Sequence, residues 1–229
     1  SLVGTILQGD IKNYGSSSDF FSGNSSILKK KSLTRFTDLS SCKHKLYITS
    51  NKQYLLCATF KDNNSDIILK KDIYIDLKNR MIKIQINLNN IPDSIVRLFK
   101  MTINPNEFRE KELVLSTNNG GDNLESFKIN EDINHGASIE NVSNFTSSRS
   151  SFGLTKGQII IGDKKKSLIF ETDKNLSSLV GMLEYTKLRS KYFLRLFFSA
   201  YESDDTSSFL KEKNFLSNIT IRAKKLKTY

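Results

Sequence analysis

His135 stands beside Gly136 in a polar stretch. Three carboxylates, Glu202, Asp204 and Asp205, follow the most apolar run of the chain, Tyr192-Phe193-Leu194-Arg195-Leu196-Phe197-Phe198-Ser199. Imidazole gains and loses a proton near neutral pH and serves as acid or base. Carboxylates held about 5 to 9.5 Å apart perform glycosidic chemistry, and clustered carboxylate oxygens hold calcium. Glu184 lies in the run that pairs with the apolar one across Arg189-Ser190-Lys191. The candidate acid–base set is therefore His135 with Glu202 or Glu184, and Ca²⁺ is the ion that Glu202, Asp204 and Asp205 would hold. The plainer alternatives are a surface loop histidine and an acidic turn at the end of a core strand.

Two further features could contact a ligand. Thr117-Asn118-Asn119-Gly120-Gly121-Asp122 sets amides and a carboxylate close together on a turn that paired glycines allow. Planar polar groups of this kind, together with aromatic faces, bind sugars. The ligand-binding candidates are Asn118, Asn119, Asp122, Arg195, Asp204 and Asp205. Arg195 sits among Leu and Phe, where an unpaired charge is costly, and Glu184 across the hairpin is its natural partner.

Other chemistries lack their residues. His44 and Cys42 do not make a zinc site, which needs three or four ligands. The glycine loop precedes no helix, so it is not a phosphate cradle. GxSxG, HExxH, a Walker motif and RNP aromatics are absent.

These residues must be positioned by strands. Leu46–Thr49 and Tyr54–Phe60 flank the turn-like Asn51-Lys52. Ile67–Leu69, Ile73–Leu77 and Met81–Leu88 follow, the last alternating apolar and polar residues as a half-exposed strand does. Ile95–Ile103 reads as a strand with one apolar face, and Glu112–Leu115 as another. Gly157–Asp163 pairs with Ser167–Thr172 across Lys164-Lys165-Lys166. Leu179–Tyr185 pairs with the anchor run, which suits a strand buried on both faces, and Ile219–Lys224 closes the series. Leu2–Leu7 reads as a first strand, 10–41 as a long loop-rich connection, and Phe209–Phe215 as one helical turn. About a dozen short strands at hairpin spacing predict an all-β fold, a large antiparallel two-sheet sandwich with few short helical turns. One domain over 1–229 is the first reading; two tandem sandwiches split near residue 106 is the second.

Composition bounds the rest. A hydrophobic content of 38% and charged content of 26% suit a globular domain. The 35 Lys+Arg against 24 Asp+Glu give a net charge of +11, which favours polyanions, although the lysines fall in short groups typical of a solvated surface. Nucleic-acid binding would rest on charge alone and is not expected. Cys42 and Cys57 allow one disulfide or two buried thiols. No leader or transmembrane span is visible, and the chain reads as a piece of a longer polypeptide whose compartment the sequence does not give.

The run of hairpins from Lys45 onward, the Thr117–Gly121 loop, His135-Gly136 and the passage from Tyr192 to Thr206 resemble the large β-sandwich (galactose-mutarotase-like supersandwich) domains of carbohydrate-active enzymes. The resemblance implies an accessory or substrate-contacting domain, with loops 116–123, 133–137 and 200–206 facing sugar or an adjoining catalytic domain. Catalytic members of that family use histidines and a glutamate around a sheet groove. This chain has two histidines, so a stand-alone sugar epimerase or hydrolase using His135 with Glu202 or Glu184 is the alternative. A basic structural or interaction module meeting a polyanion is the third reading.

Overall fold

Alternation in the sequence becomes layering in the structure. The computed structural model describes residues 23–104, 106–118, 123–129, 151–154, 157–187, 192–201 and 213–225. Their strands, in chain order, are β1 (Asn24–Lys29), β2 (Arg35–Thr37), β3 (Lys43–Ser50), β4 (Gln53–Lys61), β5 (Ile68–Asp76), β6 (Met81–Ile91), β7 (Ser94–Thr102), β8 (Val114–Thr117), β9 (Glu125–Lys128), β10 (Ser151–Leu154), β11 (Gln158–Gly162), β12 (Lys166–Thr172), β13 (Val180–Lys187), β14 (Tyr192–Tyr201) and β15 (Lys213–Lys225). A single 3₁₀ turn, Glu110–Glu112, is the only helical element among the described residues.

Two antiparallel sheets face each other as a sandwich. One has nine strands in the order β3-β4-β5-β6-β15-β12-β11-β8-β9, the other six in the order β10-β13-β14-β7-β1-β2. In β6, Ile84, Ile86 and Leu88 are buried while Lys83, Gln85 and Asn87 point away, as the period of two requires. Ile159, Ile161, Leu168, Phe170 and Ile219 extend this inner face. Val96, Leu98, Leu183, Leu194, Leu196 and Phe198 oppose it from the smaller sheet.

The hairpins fall where expected. Lys52 and Arg80 take positive φ in the turns joining β3 to β4 and β5 to β6. The Asp76 carboxylate accepts the backbone N–H of Asn79 at 2.9 Å and its side-chain amide at 2.8 Å. β14 is buried over its first eight residues, Tyr192–Ser199, because β13 and β7 flank it and both of its faces are covered.

Several expectations are corrected. The stretch 10–41 holds two strands in its described part: β1 pairs with β7 across the sheet, and β2 with β1. Asn24, Ser25 and Ser26 are buried there without an apolar pattern to announce them. β7, hydrogen-bonded between β14 and β1, is buried at every position but Arg97, on both faces. Phe215 belongs to a strand, β15, opposite Leu88, not to a helical turn. Among the described residues each sheet draws strands from both sides of residue 106. Cys42 and Cys57 are both free thiols, half-buried. Leu2–Leu7 lies outside the described residues.

Two internal features tie the layers. Asp38, just past β2, accepts the Ser25 N–H at 2.9 Å and forms a buried ion pair with Lys71 of β5, whose ammonium also donates to the Gly23 carbonyl at 2.6 Å. In β7, Leu98 faces Phe198 and Met101 faces Leu196, which leaves an extra residue between them. Phe99 takes φ 54° in this bulge, a left-handed conformation that costs a bulky residue about 1–3 kcal/mol.

Candidate functional site

Glu184 and Arg195 oppose each other directly in the β13–β14 ladder, and their side chains meet at 3.5 Å. The pair lies on the face of the smaller sheet turned away from the core. Arg195 is 7% exposed and packs 4.7 Å from the Phe193 ring centroid; Arg97 of β7 sits 5.3 Å from that of Phe197. Guanidinium on aromatic faces, closed by a carboxylate, satisfies charge inside an apolar layer. This arrangement places Arg195 and Glu184 side by side on that outer face. Asn118 follows the end of β8 and is half-buried. His135, Glu202, Asn119, Asp122, Asp204 and Asp205 lie outside the described residues. Among the described residues no group of three or more His, Cys, Asp or Glu could hold a metal ion, and no helix is long and apolar enough to cross a membrane. His44 lies on the exposed strand β3, away from any such group.

The hairpin β8–β9, which the Asn-Gly loop connects, borders a feature that the sequence reading missed. A groove of about 450 Å³ opens on the outer face of the nine-stranded sheet. Val114, Ser116, Ile160, Gly162 and Ile169 line it, with Lys111, Lys128, Lys164 and Lys224 among its walls. Since Ile159, Ile161, Leu168 and Phe170 point into the core, Ile160, Gly162, Ser167 and Ile169 must face outward. One cross-strand row reads Lys128, Val114, Gly162, Ser167 and Lys224 over β9, β8, β11, β12 and β15. At about 4.8 Å per strand, the terminal lysines of that row stand about 19 Å apart.

Gly162 creates the depression at the middle of the row. A Cβ there would meet the Lys166 carbonyl oxygen at 2.4 Å, so no larger residue fits. Asp163 shapes the adjoining turn: its carboxylate accepts the N–H of Lys165 at 2.8 Å, Lys166 at 3.0 Å and Arg109 at 3.1 Å. Burial works against its charge, but these N–H groups and the nearby Lys166 ammonium outweigh it and hold the carboxyl below its ordinary value. Lys166 is engaged with Glu107 at 2.6 Å and lies over the Phe108 ring. Lys111, Lys128, Lys164 and Lys224 form no ion pair among the described residues, and one Glu112 carboxylate oxygen is buried without a hydrogen-bond partner. The groove is thus lined mainly by basic side chains. Beyond it the outer face continues as the row Gln158, Glu171, Thr220, Lys83 and Tyr74. Lys164 and Lys224 were visible in sequence as short lysine groups; the pairing of β8, β11, β12 and β15 that brings them together was not.

A second depression, about 710 Å³, is lined by Lys61, Ile67, Ile68, Asn90 and the loop between them. Its Asp62 carboxylate is already occupied by Lys29, Ser65 and Asn64, which makes it a loop-stabilising centre.

No protein-family model matches the chain, and no curated protein matches it. Among solved structures, the sandwich is similar to the galactosidase domain of the α-galactosidase-sucrose kinase AgaSK, with TM-score 0.50, 12% identity and 98% of this chain covered. It is also similar to the GH36 α-galactosidase AgaA from Geobacillus stearothermophilus, in complex with raffinose, with TM-score 0.52, 10% identity and 93% of this chain covered. The likeness is one of fold, a large two-sheet antiparallel sandwich. A protein from Escherichia coli K12 described as an aldose 1-epimerase matches at TM-score 0.46 and 11% identity, over 80% of this chain and 69% of its own. This sandwich spans 32% and 31% of the two galactosidase chains, about a third of each.

Proposed function

We propose that this sandwich is the glycan-contacting, non-catalytic part of a carbohydrate-processing enzyme, and that the groove beside the β8–β9 hairpin receives an acidic sugar chain. The observation that carries the reading is the likeness of nearly the whole chain to the sandwiches of two α-galactosidases, each about three times its length. The chemistry of the groove supports the choice of ligand. Lysine ammoniums along its walls suit carboxylate or sulfate groups, and Ser116 and Ser167 add hydroxyls. Its floor is aliphatic, with no aromatic ring on which a nucleic-acid base would stack.

The test is binding of oligogalacturonate, a sulfated oligosaccharide and neutral raffinose, measured by calorimetry. The acidic oligosaccharides are expected to bind and raffinose not to. Replacing Lys164 and Lys224 together by Glu is expected to weaken binding at least tenfold, and added salt to weaken it in the unaltered chain. Binding that ignores the Lys164→Glu/Lys224→Glu change sinks the groove assignment. Hydrolysis or mutarotation of galactosides by this chain alone sinks the non-catalytic reading and returns the acid–base set of His135 with Glu202 or Glu184 to consideration.

A further inference from the structure

β3 is the one long edge strand whose apolar side chains stand in solvent. All eight of its residues are exposed, with Ile48 at 76% and Leu46 at 63%. Among the described residues it pairs on one side alone, with β4, so its other edge presents unpaired N–H and C=O groups. The sheet behind it shows why the exposure is not incidental. Two apolar rows run out along the inner face to this edge. One is Ile84, Ile73, Leu56, Leu46; the other is Ile82, Ile75, Tyr54, Ile48. In the first, burial falls from 4% exposed at Ile84, through half-buried Ile73 and Leu56, to the open Leu46. The six-stranded sheet stops short of the nine-stranded one, and its overhang is apolar.

We propose that β3 pairs antiparallel with β3 of a second copy of this chain, about a two-fold axis at Tyr47. The register follows from the side chains. Centred on Tyr47, Leu46 opposes the partner's Ile48, and Ile48 opposes the partner's Leu46, both on the inner face. Each apolar row then continues into the other row of the second copy, so eight residues line up without interruption. Lys45 opposes Thr49 and Lys43 opposes Asn51 in this register, so no lysine meets a lysine. Shifting the centre to Lys45 sets that lysine against itself, which like-charge pairing disfavours. Centring on Leu46 sets Ile48 against His44, and centring on Ile48 sets Leu46 against Ser50. Lysine repulsion thus disfavours the register centred on Lys45, apolar-to-polar mismatch disfavours those centred on Leu46 and Ile48, and the closed two-fold contact limits assembly to a pair. The extra residue at Thr49, where the β3–β4 register shifts, ends the regular edge beyond Ile48.

The experiment compares the whole chain with variants by sedimentation equilibrium and cross-linking. The unaltered chain is expected to sediment as a dimer, and Ile48→Lys as a monomer that keeps the circular dichroism of the folded sheet and melts independently of concentration, since residue 48 lies in solvent in the single copy. In a Cys42→Ser/Cys57→Ser background, Tyr47→Cys is expected to give a disulfide-linked dimer, because opposed residues place their Cβ atoms about 4.5–5.5 Å apart. Lys43→Cys is the control: its two copies would stand about 26 Å apart along the strands, too far to link. A monomeric unaltered chain overturns the proposal and assigns the overhang to a different partner. A dimer that survives Ile48→Lys, or equal cross-linking at 43 and 47, overturns it too.

Discussion

Lys71 reaches from the inner face of the nine-stranded sheet to Asp38, which follows the outermost strand of the six-stranded sheet, and the two charges are buried together. The pair joins the layers beside β1 and β2. Its stability value lies in the cost of breaking it, not in the attraction itself. Either Lys71→Met or Asp38→Asn is expected to destabilise the domain by about 3–5 kcal/mol, because each strands one buried charge or its hydrogen-bond partners. The double change Lys71→Met/Asp38→Leu is expected to recover most of that loss. Urea unfolding of all three variants checks both statements.

The Glu184–Arg195 pair is asymmetric. Arg195 is nearly enclosed, with its side chain 8% exposed, while that of Glu184 is 26% exposed. Removing the acid takes a counter-charge from an enclosed guanidinium; removing the base leaves a carboxylate that water reaches. Glu184→Gln is therefore expected to cost about 2–3 kcal/mol, and Arg195→Met about 1 kcal/mol or less. Equal losses in chemical denaturation would show that the cation-over-ring contacts, and not the ion pair, set the energy.

Gly162 sits where backbone approaches backbone, and that atom cannot swing aside as a side chain would. Gly162→Ala is expected to cost about 2–4 kcal/mol by forcing β11 from β12. Amide exchange in the β11–β12 hairpin should quicken more than in β5 and β6, which a global effect would not produce.

Asp163, Asp62 and Glu107 have carboxyl groups held below their ordinary values in the folded chain. A depressed folded value gives stability that is complete above the unfolded-state value of about 4 and is lost as pH falls toward the folded one. The melting temperature is expected to be flat from neutrality to about pH 5 and to drop below about pH 4. Asp163→Asn should lower stability at neutral pH and make its fall in acid shallower. A thermal melt series across pH reads both.

Much of the architecture was legible because it is local. Asn51-Lys52 and Lys78-Asn79-Arg80 are turns between periodic runs, and their strands pair with neighbours in sequence. The Glu184–Arg195 contact followed from a hairpin register and the cost of a buried charge. What escaped was set by distant partners. Nothing in the Asn24–Ser26 segment alternates, since its polar residues are buried by pairing with a bulged strand some seventy residues away. The groove escaped for the same reason: β8, β11, β12 and β15 span more than a hundred residues, and only their order in the sheet gathers the four lysines. The acidic exit after β14 and His135 lie outside the described residues, so that part of the reading stands as proposed.

β15 sits between β6 and β12, bonded to both along most of its length. Among the described residues, the meander β3–β6 on one side and the strands β12, β11, β8 and β9 on the other are joined within the sheet through it alone. During synthesis, then, the larger layer exists as two separate ribbons until this strand leaves the ribosome, each with a raw edge waiting for it. Shortening the chain before Lys213 would not trim the sheet; it would divide it. Folding of the sandwich must accordingly be completed late and over long sequence separations, the regime of slow folding in β proteins.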